Sequence, residues 1–441
     1  MNSIVELTKY IMMLLVGIYT YFIFRIFRYR NKTIQNKVYR WMTILIFTLH
    51  FMGYFTLYIQ IWNDKLILLY GAEVFILSVV LNLYNKFYPK HSKLILRNML
   101  LLTVIGFIML TRLSYDKAVK QVFIVAVSLI LSLLVPYILV SCRWLYKFGW
   151  VYGVVGIMLL LIVLFAGETQ YGATNWLTLG DISFQPSEFV KLLFVFSIAS
   201  MFYEGTDFKR IVPITIMAAA NVLIMVFHKD LGGALIFFVT YVFMLYTATN
   251  KALYMFAGLG SGSIASLVAY KLFGHVRVRV MAWQHPFRYI DNEGYQITQS
   301  LFAIGTGGFM GLGLNQGLPT NIPVVDSDFI FSAISEELGG LFAISIILIY
   351  VNLFIVFMDI SIKSEDLFYR LLSLGFAVMF AFQVFLCIGG VIKFIPSTGV
   401  TLPLISLGGS SAFSTIIMFA TMQGIYLQQR FYKNDRAEGI G

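Results

Sequence analysis

The sequence predicts an all-α, polytopic integral membrane protein with about thirteen transmembrane helices and a long extracellular loop. Apolar runs of about twenty residues, the length of a bilayer-crossing helix, recur along the whole chain. Of the 441 residues, 59% are hydrophobic and only 12% are charged, whereas soluble domains contain about 25% charged residues. No segment shows the polar–apolar alternation over about ten residues that is typical of barrel strands, which excludes a membrane β-barrel.

The apolar runs place the helices in order along the chain. The first run is not followed by a small-residue cleavage site, so we expect a retained helix and not a removed signal peptide. Residues 1–93 are expected to form an N-terminal extension of three helices, residues 94–430 a ten-helix core and residues 431–441 a cytoplasmic tail. The expected spans are residues 8–26, 41–61, 66–84, 94–112, 119–141, 146–166, 186–203, 211–227, 231–248, 252–273, 328–357, 367–394 and 401–428.

Basic residues cluster in alternate loops between these helices. Because basic loops stay in the cytoplasm, the pattern predicts an N-terminus outside the cell and a C-terminus in the cytoplasm. Loops 167–185, 274–327 and 395–401 then lie on the outer side. The net charge of +11 follows from the basic loops, so no nucleic-acid partner is expected. The residues concerned are Arg25, Arg28, Arg30, Lys32, Lys37, Arg40, Lys86, Lys90, Lys93, Arg97, Arg143, Lys147, Lys209, Arg210, Lys251, Arg430, Lys433 and Arg436.

A first polar motif covers residues 172–177 and 184–191 and opens the seventh expected helix. Pro186 suits the first turn of a helix, and the carboxylate of Glu188 is favoured at the positive helix end. Lys191 lies three residues further, on the same face as Glu188. Two interpretations stay open, a helix cap with a local ion pair or a cation that meets an anionic ligand. An intramembrane charge costs about 2.5–3.5 kcal/mol, so Lys191 needs a partner in either case.

A second motif is the outer loop 274–327, which is rich in glycine and proline. Arg279 places a cation at its start, and Asp291 and Glu293 are the only carboxylates between residues 230 and 326. A loop acid of this kind is either a solvated turn residue or a reacting group. The glycines between residues 305 and 313 do not form a dinucleotide-binding fingerprint, because no strand surrounds them. They favour an irregular stretch packed against helices.

The third motif combines buried acids with two glycine-rich turns. Glu336 and Glu337 lie about two turns inside an expected span, where adjacent acids must face a cavity or a partner. Asp328 stands at the start of that span. The turns are residues 395–403 and 408–411, and the second of them, which contains Ser410, is typical of close helix packing.

Together these motifs resemble the SEDS family (shape, elongation, division and sporulation), which includes FtsW, RodA and SpoVE. The resemblance covers residues 94–430 and rests on segments 184–191, 230–232, 294–317, 328–339 and 396–411. It implies a peptidoglycan glycosyltransferase that polymerises lipid II at the outer face of the bacterial plasma membrane. It also implies a class B penicillin-binding protein, a transpeptidase, as partner.

The chemistry of such an enzyme fits the residues. Sugar transfer from a diphospholipid needs a general base for the attacking hydroxyl. It also needs positive charge, or a divalent cation such as Mg²⁺ or Mn²⁺, on the leaving diphosphate. Asp291 is the candidate base; no organic cofactor is expected, and metal ligands are not identified. The candidate substrate-binding residues are Lys191, Arg279, Glu188, Gln296, Ser300, Asp328, Glu336, Glu337, Lys393 and Ser410.

The chain departs from the family pattern at two places. Family members carry an aspartate at the third residue after the loop proline, where this chain has Tyr289, and tyrosine with a reference pKa of about 10 is a poor base. Residues 289 and 291 of an extended stretch point to the same side, so Asp291 is expected to replace the missing aspartate. Thr174 and Asn175 stand where an arginine often precedes the tryptophan of the first motif.

Two alternative functions stay open. The loss of the aspartate at Tyr289 favours a non-catalytic SEDS-like scaffold that binds lipid II and recruits a transpeptidase. A lipid II flippase would be expected to show paired repeats with broken helices, and no such repeat is visible in the sequence. The sequence does not distinguish a role in elongation, division or sporulation, and it assigns no role to residues 1–93.

Overall fold

The chain folds almost entirely into α-helices, which confirms the predicted fold class. The computed structural model describes residues 2–142, 144–170, 173–179 and 182–437. Arg143 of the basic loops, Gly172 of the first motif and residues 438–441 of the predicted tail lie outside the described residues. The helices are α1 (Asn2–Arg25), α2 (Lys32–Ile61), α3 (Lys65–Phe87), α4 (Lys93–Leu113), α5 (Tyr115–Ser132), α6 (Leu134–Ser141), α7 (Gly149–Ala166), α8 (Pro186–Glu204), α9 (Phe208–Phe227), α10 (Leu231–Thr249), α11 (Ala252–Leu272), α12 (Gly274–Gln284), α13 (Tyr295–Gly307), α14 (Ile330–Leu338), α15 (Gly340–Lys363), α16 (Leu367–Val391) and α17 (Gly409–Ala437).

Twelve helical segments in the described part of the chain are long and apolar enough to cross a membrane. They are α1 to α4, α5 with α6, α7 to α11, α15 and α16. The thirteenth expected span, residues 401–428, corresponds to α17. This helix begins only at Gly409, because residues 401–408 form a turn in which Leu404 has a φ of +68°.

The expected span 328–357 is two helices, α14 and α15, and not one. Gly339 between them has a φ of +88°, a left-handed conformation that glycine adopts without strain. A Cβ at this position would come within 2.5 Å of the Gly311 backbone nitrogen. The helix therefore breaks where the backbone of the preceding segment approaches most closely.

The expected irregular loop 274–327 contains two helices, α12 and α13. In α13 the buried residues Ile297, Thr298, Ser300, Ala303 and Gly307 fall on one face. This helical spacing lets α13 pack against α14. The outer loop predicted for residues 274–327 is therefore helical in part, because the polar composition concealed an amphipathic helix.

Outside the helices, residues 168–170, 173–179 and 182–184 form a small antiparallel sheet that the all-α prediction did not include. Its strands are β1 (Glu168–Gln170), β2 (Ala173–Leu179) and β3 (Ile182–Phe184), in the order β1-β2-β3. Glu168 pairs with Trp176, and Leu177 pairs with Phe184. The sheet leads directly into Pro186 at the start of α8.

Helices α5 and α6 form one span that is interrupted near Pro136. Proline has no backbone N–H and clashes with the carbonyl four residues earlier, which here belongs to Ser132. Tyr84 of α3 donates its hydroxyl to the Ser132 carbonyl at 3.3 Å, and Tyr88 donates to the Leu133 carbonyl. The carbonyls next to the break are thus satisfied by the N-terminal helices.

Helix α4 is the centre of the packing and is buried along its whole length. It contacts α2 on one side and α5, α14, α15 and α17 on the others. Asn98 of α4 accepts a hydrogen bond from Tyr19 of α1 at 2.8 Å and donates to Asn352 of α15 at 2.9 Å. A polar chain therefore joins the N-terminal helices to the core.

Candidate functional site

Four separate parts of the chain bring charged and polar side chains together at one end of the helix bundle. Asn175 comes from β2, Asp230 precedes α10, Arg279 lies on α12 and Asp328 precedes α14. Residues 395–401, between α16 and α17, complete the group, because Arg279 donates to the Ser397 carbonyl at 3.1 Å. We call this group of residues the central acid site.

Asp230 is fixed by local structure before α10. Its carboxylate caps the helix by accepting the Gly233 N–H at 2.7 Å, and it also accepts the Asn175 side-chain amide at 2.7 Å. Removal from water raises the pKa of Asp230. This effect is larger than the opposing effects of the Gly233 hydrogen bond and of the charges of Lys191 and Arg279, which lower the pKa. The side-chain oxygen of Asn175 is buried and has no hydrogen-bond partner among the described residues.

Asp328 is the second carboxylate of the central acid site. Burial raises its pKa from 3.8 to about 6, although its hydrogen bond to Ser327 and the charge of Arg279 act to lower it. The negative charges of Asp230 and Asp326 add to the increase. A carboxylate with this pKa is ionised at neutral pH and is a stronger base than an ordinary aspartate.

Arg279 is the cation common to both acids, since its charge lowers the pKa of Asp230 and of Asp328. Gly399 lies beside the pair and has a φ of +74°. A Cβ on Gly399 would lie 3.5 Å from the Asp328 Oδ2 and 3.8 Å from the Arg279 Nη2. The turn at residues 397–399 therefore passes along both charged groups.

Lys191 forms the local ion pair that was one of its two interpretations. Its Nζ lies 2.7 Å from the Glu188 Oε1 and donates to Gln383 of α16 at 3.0 Å. The other Glu188 oxygen accepts the Ser414 hydroxyl at 2.9 Å. Both charged side chains are buried, yet their charges still act on Asp230. Lys191 and Arg279 thus approach the same carboxylate from different elements.

Glu336 and Glu337 bind the chain's own backbone. Glu337 pairs with Arg112 of α4 at 2.9 Å and accepts the Asn315 N–H at 3.0 Å. Glu336 accepts the Leu318 N–H at 3.0 Å, and its other oxygen is buried without a partner among the described residues. These acids hold the segment before α14, which explains how adjacent carboxylates are accommodated in an apolar helix.

The remaining predicted substrate-binding residues are spread over several environments. Ser300 is buried and bonds to the Ser332 hydroxyl and the Val391 carbonyl, and the Ser410 hydroxyl oxygen accepts the Gln185 N–H at 3.0 Å. Gln296 is exposed at the start of α13. Lys393 has a φ of +61°, and its carbonyl accepts the Trp283 indole N–H at 3.1 Å. The serines therefore have structural partners. Among the described residues, the side chains of Gln296 and Lys393 make no hydrogen bond or ion pair with the central acid site.

Asp291 lies in the turn between Tyr289 and α13. Its side chain is exposed, and its carboxylate makes no hydrogen bond or ion pair with any residue that the structure describes. The turn is closed by the Asn292 and Gly294 N–H groups, both of which donate to the Tyr289 carbonyl. The stretch is thus a turn and not the extended strand that was assumed for residues 289–291.

Sequence reasoning identified Asp328, Arg279, Glu188 and Lys191 but did not select Asp230 or Asn175. A signal was present at Asp230, since an acid followed by Leu231-Gly232-Gly233 is typical of a capped helix start. No pattern in one sequence connects it with Asp328, because nearly a hundred residues separate them. Only the fold brings the two carboxylates together.

Comparison with known proteins gives consistent relationships along most of the chain. The family model of the FtsW, RodA and SpoVE cell cycle proteins matches residues 92–430. The peptidoglycan glycosyltransferase RodA of Mycobacterium tuberculosis is 33% identical over 370 residues, which cover 77% of this chain and 79% of that protein.

Solved structures show a similar fold. A chain from a peptidoglycan synthase complex, described as coordinating polymerization and crosslinking, is 25% identical, with a TM-score of 0.64 over 77% of this chain and 98% of its own. The crystal structure of the Thermus thermophilus rod shape determining protein RodA is 22% identical, with a TM-score of 0.58 over 76% of this chain and 96% of its own. The second likeness concerns the fold alone.

Proposed function

Because the chain belongs to the FtsW/RodA/SpoVE family of cell cycle proteins, we propose that its central acid site polymerises lipid II into glycan strands. Family membership makes the chain a peptidoglycan glycosyltransferase and a multi-pass protein of the bacterial plasma membrane. The observation that carries the proposal is the placement of Arg279 beside two carboxylates, Asp230 and Asp328. Glycosyl transfer from a diphosphate donor requires this combination of cation and base.

The reaction joins a sugar hydroxyl of one substrate to the anomeric carbon of another. The hydroxyl oxygen forms the new C–O bond as the bond between the anomeric carbon and the diphosphate breaks. The diphosphate leaves with the bonding electron pair, and the hydroxyl proton passes to a base. Asp328 and Asp291 are the two candidates for this base. The raised pKa and the nearby cation support Asp328, whereas closeness in sequence to Tyr289, which occupies the position of the family's aspartate, supports Asp291.

We assign binding of the departing diphosphate to Arg279, while Lys191 contributes its positive charge without direct contact. Arg279 uses one guanidinium nitrogen for the Ser397 carbonyl, and its remaining N–H groups are suited to phosphate oxygens. Lys191 is already paired with Glu188 and Gln383. Arg279→Ala is therefore expected to weaken lipid II binding more than Lys191→Ala does.

A divalent cation fits the donor atoms of the central acid site. Asp230 and Asp328 offer carboxylate oxygens, and the buried Asn175 oxygen lacks a partner among the described residues. Oxygen ligands of this kind suit Mg²⁺ or Mn²⁺. The described residues contain no group of three or more His, Cys, Asp or Glu side chains in metal-binding geometry. Mg²⁺ usually binds through one or two carboxylates together with substrate phosphates; when bound, it would neutralise charge on the leaving diphosphate.

The orientation and partner are part of the same proposal. The basic loops support an N-terminus outside and a C-terminus in the cytoplasm, an orientation in which the central acid site would lie at the outer leaflet. The similar chain in the peptidoglycan synthase complex, which is described as coupling polymerization to crosslinking, supports a class B penicillin-binding protein transpeptidase as partner.

A non-catalytic scaffold is the second candidate function. Tyr289 replaces the family's aspartate, and the nearest acid, Asp291, is an exposed turn residue. If neither Asp291 nor Asp328 serves as a base, the chain would bind lipid II and position a transpeptidase without polymerising.

The test is polymerisation of fluorescent lipid II by the purified chain, with and without the transpeptidase, in Mn²⁺ and in EDTA. Polymer in the wild type supports the enzyme. Loss of activity in Asp328→Asn but not in Asp291→Asn, by the 10²–10⁴-fold that a base typically contributes (about 3–5 kcal/mol), identifies Asp328 as the base. The reverse result identifies Asp291. An inert wild type that still binds lipid II supports the scaffold.

A further inference from the structure

The N-terminal helices α1, α2 and α3 have no role in the proposed chemistry, and they lie outside residues 92–430, the part matched by the family model. They are nevertheless firmly docked. Tyr54 of α2 donates to Glu73 of α3 at 2.7 Å and bonds to Thr111 of α4 at 2.9 Å. His50 lies 2.7 Å from the same Glu73, and all of these groups are buried. The three helices therefore form a fixed part of the molecule.

The segment 308–318, between α13 and α14, has an irregular backbone. Gly308, Gly311, Gly313 and Asn315 all have positive φ values, between 54° and 110°. Such a segment cannot build a regular hydrogen-bond ladder, and irregular backbone in a membrane protein must be satisfied by surrounding protein. The partners of its N–H and carbonyl groups therefore show what holds it.

Four N–H groups of this segment donate to α14. Leu312 and Gly313 donate to the carbonyls of Glu336 and Glu337 at 2.9 and 2.8 Å. Asn315 and Leu318 donate to the carboxylates of Glu337 and Glu336. The segment is thus attached to the C-terminal end of α14, the helix that directly follows Asp328.

Three carbonyl groups of the segment accept hydrogen bonds from side chains, and two of these side chains come from the N-terminal helices. Lys9 of α1 donates to the Gly311 carbonyl at 3.0 Å, and Gln60 of α2 donates to the Leu314 carbonyl at 2.8 Å. Gln60 also accepts the side-chain amide of Gln316 at 2.7 Å. Arg112 of the core supplies the third donor, to Gly317 at 3.2 Å.

We infer that α1–α3 act as a clamp on segment 308–318, with Lys9 and Gln60 as positioning residues for the glycosyltransferase core. Lys9 is itself buried although it carries a charge, and a charge-assisted hydrogen bond is stronger than a neutral one. Holding the segment fixes the end of α14 and, through that helix, Asp328. The catalytic part of this inference rests on the proposed function, whereas the clamp itself does not.

Hydrogen–deuterium exchange on the full-length chain tests the clamp without reference to activity. In Lys9→Met/Gln60→Leu, amides of residues 308–318 are expected to exchange about tenfold faster, because three hydrogen bonds that hold the segment are lost. Peptides of α8 are expected to stay unchanged. Lys37→Met, an exposed lysine at the opposite end of α2, is the matched control and is expected to alter neither region.

Kinetics test the positioning role. The double variant is expected to have a lower kcat for lipid II polymerisation with little change in KM. The single variant Lys9→Arg, which keeps a hydrogen-bond donor, is expected to have the exchange rates and kcat of the wild type. Unchanged exchange in residues 308–318 overturns the clamp. Faster exchange with unchanged kcat overturns the positioning role. If the double variant does not assemble, Gln60→Leu alone carries the same test, and an inert wild type refutes the proposed function while the exchange result still decides the clamp.

Discussion

The ion pair of Arg112 and Glu337 gives a prediction whose size follows from burial. The Glu337 side chain is fully buried, Arg112 is 14% exposed, and the two groups are 2.9 Å apart. Removing one partner of a buried pair leaves an uncompensated charge and costs about 3–5 kcal/mol. Arg112→Met is therefore expected to lower the free energy of unfolding by that amount, a factor of about 10²–10⁴ in the folding equilibrium.

The double variant Arg112→Met/Glu337→Gln is expected to recover about half of this loss. The glutamine carries no charge, and its side-chain carbonyl can still accept the Asn315 N–H that Glu337 now holds at 3.0 Å. The remaining cost is the unmade hydrogen bond to the Gly317 carbonyl, about 1–3 kcal/mol for a buried acceptor.

Reversible unfolding in mixed detergent micelles measures both variants. Lys363→Met is the control, because it breaks an ion pair with Asp359 in which both side chains are about half exposed, and such pairs contribute about 0–1 kcal/mol. Equal free energies for Arg112→Met and the double variant would refute the reasoning, since the loss would then not arise from an unpaired Glu337 carboxylate.

Two further predictions concern the central acid site and its orientation. The polymerisation rate is expected to rise as the pH rises through about 6, because the raised pKa keeps Asp328 protonated below that value. Below pH 6 the rate is expected to fall roughly tenfold per pH unit, since the base must be ionised to act. A rate that stays constant down to pH 4.5 would exclude Asp328 as the base. In single-cysteine variants, an impermeant reagent added outside the cell is expected to label Asp291→Cys and not Ile34→Cys, and the opposite labelling pattern would place the central acid site at the inner leaflet.

Most of the fold could be predicted because membrane helices are encoded by long apolar runs. The prediction failed at two places, one with a polar helix face and one with a long-range backbone contact. The helix α13 was read as loop because its exposed face is polar, although Ile297 and Ala303 mark a buried face. The break at Gly339 was missed because it depends on the approach of the Gly311 backbone, a contact between distant parts of the sequence.

The candidate site could be predicted only in part, because contacts between distant parts of the sequence also determine which charged residues meet there. Asp328, Arg279 and the Glu188–Lys191 pair stand out as charges at the ends of apolar helices. Asp230 carries the same signal, but only its proximity to Arg279 gives it significance. Glu336 and Glu337 were expected to face a cavity or a partner, and the structure gives them Arg112 and backbone N–H groups as partners. A sequence shows that a buried acid needs a partner, but not which partner it has.

The charges around the central acid site support a role for a divalent cation. Three carboxyl groups, those of Asp230, Asp328 and Glu188, lie near two cations, Lys191 and Arg279. A leaving diphosphate adds further negative charge, which two cations already shared among three acids do not offset. A divalent ion held by Asp230 and Asp328 would reverse this balance. The same ion would lower the pKa of Asp328, so the acid limb of the rate profile is expected to lie at lower pH when the metal is bound. A polymerisation rate that EDTA does not change would show that Arg279 alone neutralises the diphosphate.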